Sequence, residues 1–342
     1  MRILVTGAGG QLGRELRRLV ETETGGVCGG DGAPGGGLVG RDHDWIFADS
    51  RRLDVTNPEA VAAFWESRRP DAVINCAAFT DVDGAEAEKA KAFAVNRDGP
   101  RFLAHASART GALLLHVSTD FVFDGRSKKP YTETDTPAPL NVYGESKLAG
   151  ERAVLESGCR GAVVRTSWLY SPWGRNFVKS ILTAATNAVS ASCARSAVPK
   201  PELRVVADQI GRPTSAASLA AAIVKIVPPL MERNEPAALY HYCDAGDDSR
   251  AAGGVSRAEF AAEIVRKAGL DCRVVPISSA EYAATRPGSA TTATATATAP
   301  ATASRPEYST LDTSKITRDL GVVPPAWRDA LEDCIKLIYD GR

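Results

Sequence analysis

The chain has 342 residues, with 41 Lys+Arg against 41 Asp+Glu and 44% apolar residues. Zero formal net charge leaves no footprint that attracts a polyanion, so neither nucleic acid nor a membrane surface is an expected partner. The apolar share excludes wholesale disorder, and the length suits one large domain or two modest ones. The most apolar stretch, Leu219 to Met231, is broken by Lys225, Pro228 and Pro229, which leaves no candidate membrane helix. Gly7 to Gly13 interrupts any signal-peptide pattern, so a cytoplasmic protein is expected. Cysteines number seven, without a CxxC pair. They read as buried or idle thiols in a reducing compartment, not as a disulfide framework or a zinc site.

In chain order, Arg2 to Thr6 reads as a strand. Gln11 to Val20 reads as a helix with Leu12, Leu16, Leu19 and Val20 on one face. His43 to Ala48 is the next strand, after a glycine-rich insertion over 25–40. Asp71 to Ala77 is a strand, and Glu86 to Ala108 a helical region interrupted near Gly99 and Pro100. Leu113 to Ser118 is a strand, Asn141 to Leu155 a helix, and Ala162 to Arg165 a strand. Helices follow near Phe177 to Ala185, Ser215 to Ile226 and Arg257 to Ala268, with one more strand from Leu239 to Cys243. The segment 289–304 is a Thr/Ala-rich insertion. Neither insertion can bury enough apolar surface to order itself, and a third candidate lies over 190–201. Alternating strands and helices predict an α/β fold, a doubly wound parallel sheet with a smaller substrate-binding lobe. The expected division is a dinucleotide-binding domain over 1–168 and a substrate lobe over 169–342. About 215–245 is expected to return to the first domain.

Gly7, Gly10 and Gly13 follow a strand and open a helix. One glycine permits a tight turn, one lets backbone N–H groups approach a pyrophosphate, and one lets the helix pack against the sheet. A structural turn is the plainer alternative; the strand–turn–helix setting favours a dinucleotide. After the second strand come Asp49, Arg51 and Arg52. An acid there selects NADH, whereas cations meet the 2′-phosphate of NADPH. NADPH is preferred, with Arg51 as the contact and NADH possible; solvated loop charges are the competing explanation.

Tyr143 and Lys147 stand four residues apart on a predicted helix and share a face. A nearby ammonium favours phenolate and lowers the phenol pKa, so Tyr143 can act as an acid or base on a carbonyl oxygen. Ser118, Thr119 and Asp120 close a strand, where ligands sit in such sheets. Glycine turn, strand-end hydroxyl and YxxxK in this order predict hydride transfer between a nicotinamide and a carbon–oxygen centre. His116 reads as a packed strand residue. Asp81, Asp83 and Glu86 fit a capped helix start as well as a metal cluster.

These residues resemble the extended short-chain dehydrogenases/reductases. Further motifs narrow the resemblance: LDVTNP from Leu53, NCAAFTDVDGAE from Asn75, HVSTDFVFDG from His116, LNVYGESKLAGE from Leu140, RTSWLY from Arg165 and VVADQIGRPTS from Val205. Together they are similar to the dTDP-4-dehydrorhamnose reductase family. The resemblance implies reduction of the 4-keto group of dTDP-6-deoxy-L-lyxo-4-hexulose by NADPH or NADH. It implies cofactor contacts at Gly10, Gln11, Leu12, Asp54, Val55, Ala77, Ala78 and Phe79. It makes Tyr143 and Lys147 the catalytic and ribose-binding pair, and Thr119, Asp120 and Trp168 substrate contacts. Trp168 could instead be a core aromatic. Asn176 and Arg305 could reach the substrate phosphates or simply pack their loops. Some members hold Mg²⁺ at a dimer contact; Glu15 matches one position only, so no metal is expected, and a homodimer is possible. Two alternatives compete: another nucleotide-sugar reductase or epimerase, and a non-catalytic NADP-binding subunit like that of methionine adenosyltransferase.

Overall fold

The computed structural model describes residues 1–25, 43–193, 201–246, 253–284 and 303–341. Residues 26–40 and 289–302 of the two low-complexity insertions, and 194–200 of the third candidate, lie outside these residues. Five strands are β1 (Arg2–Thr6), β2 (Asp44–Ala48), β3 (Ala72–Asn75), β4 (Leu113–Thr119) and β5 (Arg160–Thr166). With Ala238–His241 they form a six-stranded sheet. Its order is Ala238–His241, β5, β4, β3, β1, β2, and every neighbouring pair is parallel. The strands are near-continuous apolar runs because both faces are covered. Side chains alternate faces along each strand. Ile3, Val5, Ile74, Leu115 and Val164 meet the helices Gln11–Gly25 and Ala216–Glu232 on one face. Leu4, Val73, Leu114 and Val163 meet the helices Pro58–Arg68, Gly99–Thr110 and Val142–Leu155 on the other. This is the doubly wound sheet of a Rossmann fold.

A second core surrounds Phe260. It joins the helices Phe177–Cys193, Arg257–Lys267 and Trp327–Asp340. The rings of Trp168, Tyr170, Phe177 and Trp327 lie between 5.5 and 6.3 Å from that of Phe260. Ser256 and Glu259 form a capping box that starts the helix Arg257–Lys267. The strands Glu202–Val206 and Arg273–Ile277 pair in parallel beside it.

Two elements differ from the sequence expectation. The helix Ala216–Glu232 runs through Pro228 and Pro229. Ile226, Val227 and Leu230 are buried against the sheet, and their burial, about 2 kcal/mol per large side chain, offsets the proline penalty. The expected break at Gly99 and Pro100 is displaced. Pro100 falls in the first turn of Gly99–Thr110, where its missing N–H costs nothing. The irregularity is a π-turn just before it, Ala94–Asp98. No helix among the described residues is long and apolar enough to cross a membrane. Cys76, Cys159, Cys243, Cys272 and Cys334 are free thiols.

Candidate active site

Between β1 and β3 the chain changes direction across the sheet, and the ends of these strands open a crevice. Gly7 leaves β1 with φ of 64°, and a Cβ there would stand 2.6 Å from the Ala77 nitrogen. Gly13 packs against Ala8 just as closely, at 2.6 Å from a would-be Cβ. Gly10 N–H closes the turn on the Gly7 carbonyl at 2.9 Å. The turn thus packs Gly7 against Cys76 and Ala77, just before the helix that Gln11 and Leu12 begin. Asn96, from the π-turn, clamps Phe79 on both backbone groups, at 2.8 and 3.0 Å, and reaches Ser146 on the helix Val142–Leu155 at 3.0 Å.

A pocket of about 230 Å³ opens at the ends of β1 and β2, lined by Ala8, Gly9, Arg17, Phe47, Asp49 and Arg52. Arg52 donates to the Phe47 carbonyl at 3.1 Å, and the Arg17 guanidinium lies 4.4 Å over the Phe47 ring. Asp49 Oδ1 accepts the backbone N–H groups of Arg51 and Arg52. Arg52, with Arg17, lines this pocket, and Arg51 lies on the same exposed turn. Asp54 accepts from the Thr56 N–H and hydroxyl, while Val55 is buried against Gly99. Two cations, a left-handed glycine and a helix N-terminus fit a dinucleotide phosphate chain.

Thr119 ends β4 and pairs in register with Thr166 of β5. Its hydroxyl donates to Asp120 at 3.1 Å and accepts the Phe121 N–H at 3.2 Å. Tyr143 is capped into its helix by Asn141, which accepts the Gly144 N–H at 2.8 Å. The Thr119 hydroxyl lies close enough to the Tyr143 phenol to influence it, and the Phe121 ring meets the Tyr143 ring edge-on at 5.6 Å. The expectation of an acidified phenol is not met. Burial pushes the Tyr143 pKa up to about 12; the Thr119 hydroxyl opposes this and the Asp120 charge adds to it. Burial likewise pushes Asp120 up to about 6, against hydrogen bonds from Ser309 and Thr119 and the field of Arg257.

Lys147 is 2% exposed. Its Nζ donates to the Val117 carbonyl at 2.6 Å and faces His116 Nε2 at 3.5 Å. Burial lowers its pKa to about 8, with Glu151 and Cys76 opposing. His116 is a packed strand residue, as the sequence suggested, yet it touches the lysine directly. Its Nδ1 meets Asn75 Nδ2 at 2.9 Å, and Asn75 Oδ1 accepts from the Thr6 hydroxyl and the Ala77 N–H. Burial first, then the Lys147 charge, hold the imidazole pKa well below its ordinary value.

Trp168 follows β5 at the same end of the sheet and adopts φ of 47°, a strained value for a bulky side chain. The Arg257 guanidinium lies 3.6 Å over its ring. Asn176 is tied to two segments of the chain. Its amide donates to Gln11 Oε1 and to the carbonyls of Ser171 and Trp173 at 3.0, 2.7 and 3.3 Å. It is a clasp between that loop and the first helix, with no donor left for a substrate. Arg305 is bound to Asp83 at 2.8 Å and to the Ala303 carbonyl at 3.0 Å. Glu15 is buried and accepts from Arg18 and the Trp173 indole at 2.8 and 2.9 Å. Asp81 caps Gly84, and Glu86 accepts the Val142 N–H. Each of these carboxylates is engaged by groups of the chain itself. Sequence reasoning missed Asn75, Asn96, Arg17 and Arg257, whose partners come from distant segments.

A family model described as RmlD substrate binding domain matches residues 1–339. A protein of Escherichia coli (strain K12) named dTDP-4-dehydrorhamnose reductase is 35% identical, over 99% of this chain and 98% of its own. A crystal structure of a dTDP-4-dehydrorhamnose reductase from Clostridium acetobutylicum superposes with a TM-score of 0.79 at 33% identity, covering 99% of this chain and all of that one. One from Bacillus anthracis, in complex with NADP, gives 0.76 at 33% identity, covering 98% of this chain and 99% of that one. A glycine turn, a strand-end Thr119 and the Tyr143/Lys147 helix thus occur in a chain similar to these reductases over nearly its whole length. The chain belongs to the dTDP-4-dehydrorhamnose reductase family.

Proposed function

We propose that this protein reduces the 4-keto group of dTDP-6-deoxy-L-lyxo-4-hexulose to give dTDP-L-rhamnose, with NADPH as the reductant. The observation that carries the reading is the gathering of Thr119, at the open end of β4, with the buried Tyr143 and Lys147 of one helix. NADPH, when bound, supplies the hydride. The chain's own groups then handle the oxygen. Thr119 donates a hydrogen bond to the ketone oxygen as negative charge grows there. Tyr143 gives that oxygen its proton. A phenol held at about 12 is fully protonated at neutral pH, which is the form an acid in the reducing direction needs. Lys147 holds the ribose. Asn96 fixes the Ala77–Phe79 segment along the dinucleotide, and Arg17 and Arg52 favour the 2′-phosphate of NADPH.

Trp168 lies beside the sugar in this reading, and Asp120 accepts one of its hydroxyls. The intact Thr119, Tyr143 and Lys147 favour an enzyme over a docking subunit. The same reading places the protein in the reducing cytoplasm, consistent with five unpaired cysteines among the described residues. The test is turnover by the purified full chain with the dTDP-4-keto sugar and either NADPH or NADH, with the product identified by NMR. Formation of dTDP-L-rhamnose, faster with NADPH, is expected. Tight NADPH binding with no product at any enzyme concentration would reject the assignment.

A further inference from the structure

Buried guanidinium groups in this protein find acceptors. Arg165 holds Glu151 through two bonds of 2.9 and 2.7 Å, and Arg212 donates to the Gly253 carbonyl at 2.6 Å. Arg257 differs. It is the first residue of the helix Arg257–Lys267, and its side chain is half-buried. Its guanidinium lies 3.6 Å from the Trp168 ring centre and 5.0 Å from that of Phe177. It has no hydrogen-bond acceptor or ion-pair partner among the described residues. A guanidinium carries five N–H donors. Leaving them without acceptors in a desolvated place costs about 1–3 kcal/mol or more. Burial lowers the Arg257 pKa to about 10; the Asp120 charge opposes this and the Arg305 charge adds to it. It is therefore cationic at neutral pH, and it lies within the field of the residue next to Thr119.

We propose that Arg257 is a ligand for the diphosphate of the nucleotide-sugar substrate, held in place by its stack on Trp168. The inference rests on the nucleotide-sugar reading given above. The diphosphate is the anionic group of that substrate, and the guanidinium fork matches phosphate oxygens two at a time. Trp168 is itself fixed: a Cβ at Gly211 would stand 2.5 Å from its indole. The stack therefore presents the fork from a rigid platform, and its unpaired N–H groups gain acceptors only when the substrate enters. The same contact makes Arg257 a residue that discriminates for nucleotide diphosphates.

The test uses the full chain with dTDP and thymidine as probes, measured by calorimetry, and two variants. Arg257→Met keeps an apolar stem over Trp168 and deletes the charge. Arg257→Lys keeps a charge and deletes the fork. Loss of charged hydrogen bonds predicts a ~10- to 100-fold weaker dTDP affinity in Arg257→Met. Thymidine affinity and NADPH affinity should stay within about twofold, and Arg257→Lys should recover part of the loss. KM for the keto-sugar should rise by the dTDP factor, with kcat little changed. Unchanged dTDP affinity would overturn the proposal. So would equal weakening of dTDP and thymidine, which would make Arg257 a support for Trp168 only. A wild-type chain that binds neither probe would instead reject the nucleotide-sugar reading, before any variant is compared.

Discussion

At the scale of single residues, the protonation of Lys147 is set first by burial. Asn75 Oδ1 accepts the Ala77 N–H, so its Nδ2 must face His116 Nδ1. A neutral imidazole then carries its proton on Nε2, aimed at Lys147 Nζ at 3.5 Å. A donor facing an ammonium is unfavourable, and burial acts in the same direction. Lys147 is therefore charged below about pH 8 and neutral above it. We expect kcat/KM to fall above about pH 8, with that limb moved beyond the measured range in Lys147→Arg. A profile flat to pH 10 would contradict this. Tyr143, Lys147 and the glycine turn were legible in the sequence because each is a local pattern with a chemical reason. The phenol pKa was not. It depends on how deeply the fold buries Tyr143, and burial outweighs the nearby cation that the i, i+4 spacing suggests.

At the scale of elements, the π-turn Ala94–Asp98 couples the cofactor crevice to the catalytic helix. Asn96 bonds Phe79 and Ser146, the latter 50 residues away in sequence. Asn96→Ala would leave the part-buried Phe79 N–H and carbonyl without these partners, at a cost of about 1–3 kcal/mol. We expect a lower melting temperature and a higher KM for NADPH, with little change in KM for the sugar. Wild-type NADPH affinity in this variant would contradict the coupling. Periodicity located the helices, but the π-turn has no composition of its own, so the break was misplaced at Gly99 and Pro100. Pro228 and Pro229 misled in the opposite sense, because local propensity does not register the apolar face their helix buries. The hydrogen bond that ties Asn176 to Gln11 was not legible either, because it joins distant segments.

At the scale of the whole molecule, buried ionisable groups act on stability with opposite signs. His116 and His241 are held neutral by burial, His241 down to about 3. Their contribution is present above pH ~6.5 and lost as pH falls through that range. Asp120 and Asp244 are pushed up to about 6 and about 7. Their contribution is present below pH ~3.8 and lost as pH rises to 7. The two effects oppose each other in the weakly acid range, so wild-type melting should change little from pH 5 to 6.5. Asp244→Asn should gain melting temperature relative to wild type between pH 5 and pH 8, by roughly 2–4 kcal/mol of stability. A constant difference would contradict the buried-carboxyl assignment. The zero net charge belongs to this scale too. It leaves no overall footprint for a polyanion yet is compatible with nucleotides, because the cations at the site, Arg17, Arg52 and Arg257, are local.

The account stands on Tyr143 as the proton donor to a sugar ketone. The most direct measurement compares wild type and Tyr143→Phe for NADPH oxidation with the dTDP-4-keto sugar, alongside NADPH affinity for both. The predicted result is a ~10²- to 10⁴-fold loss of turnover, with NADPH affinity within about twofold. A Phe variant that turns over at the wild-type rate would contradict it.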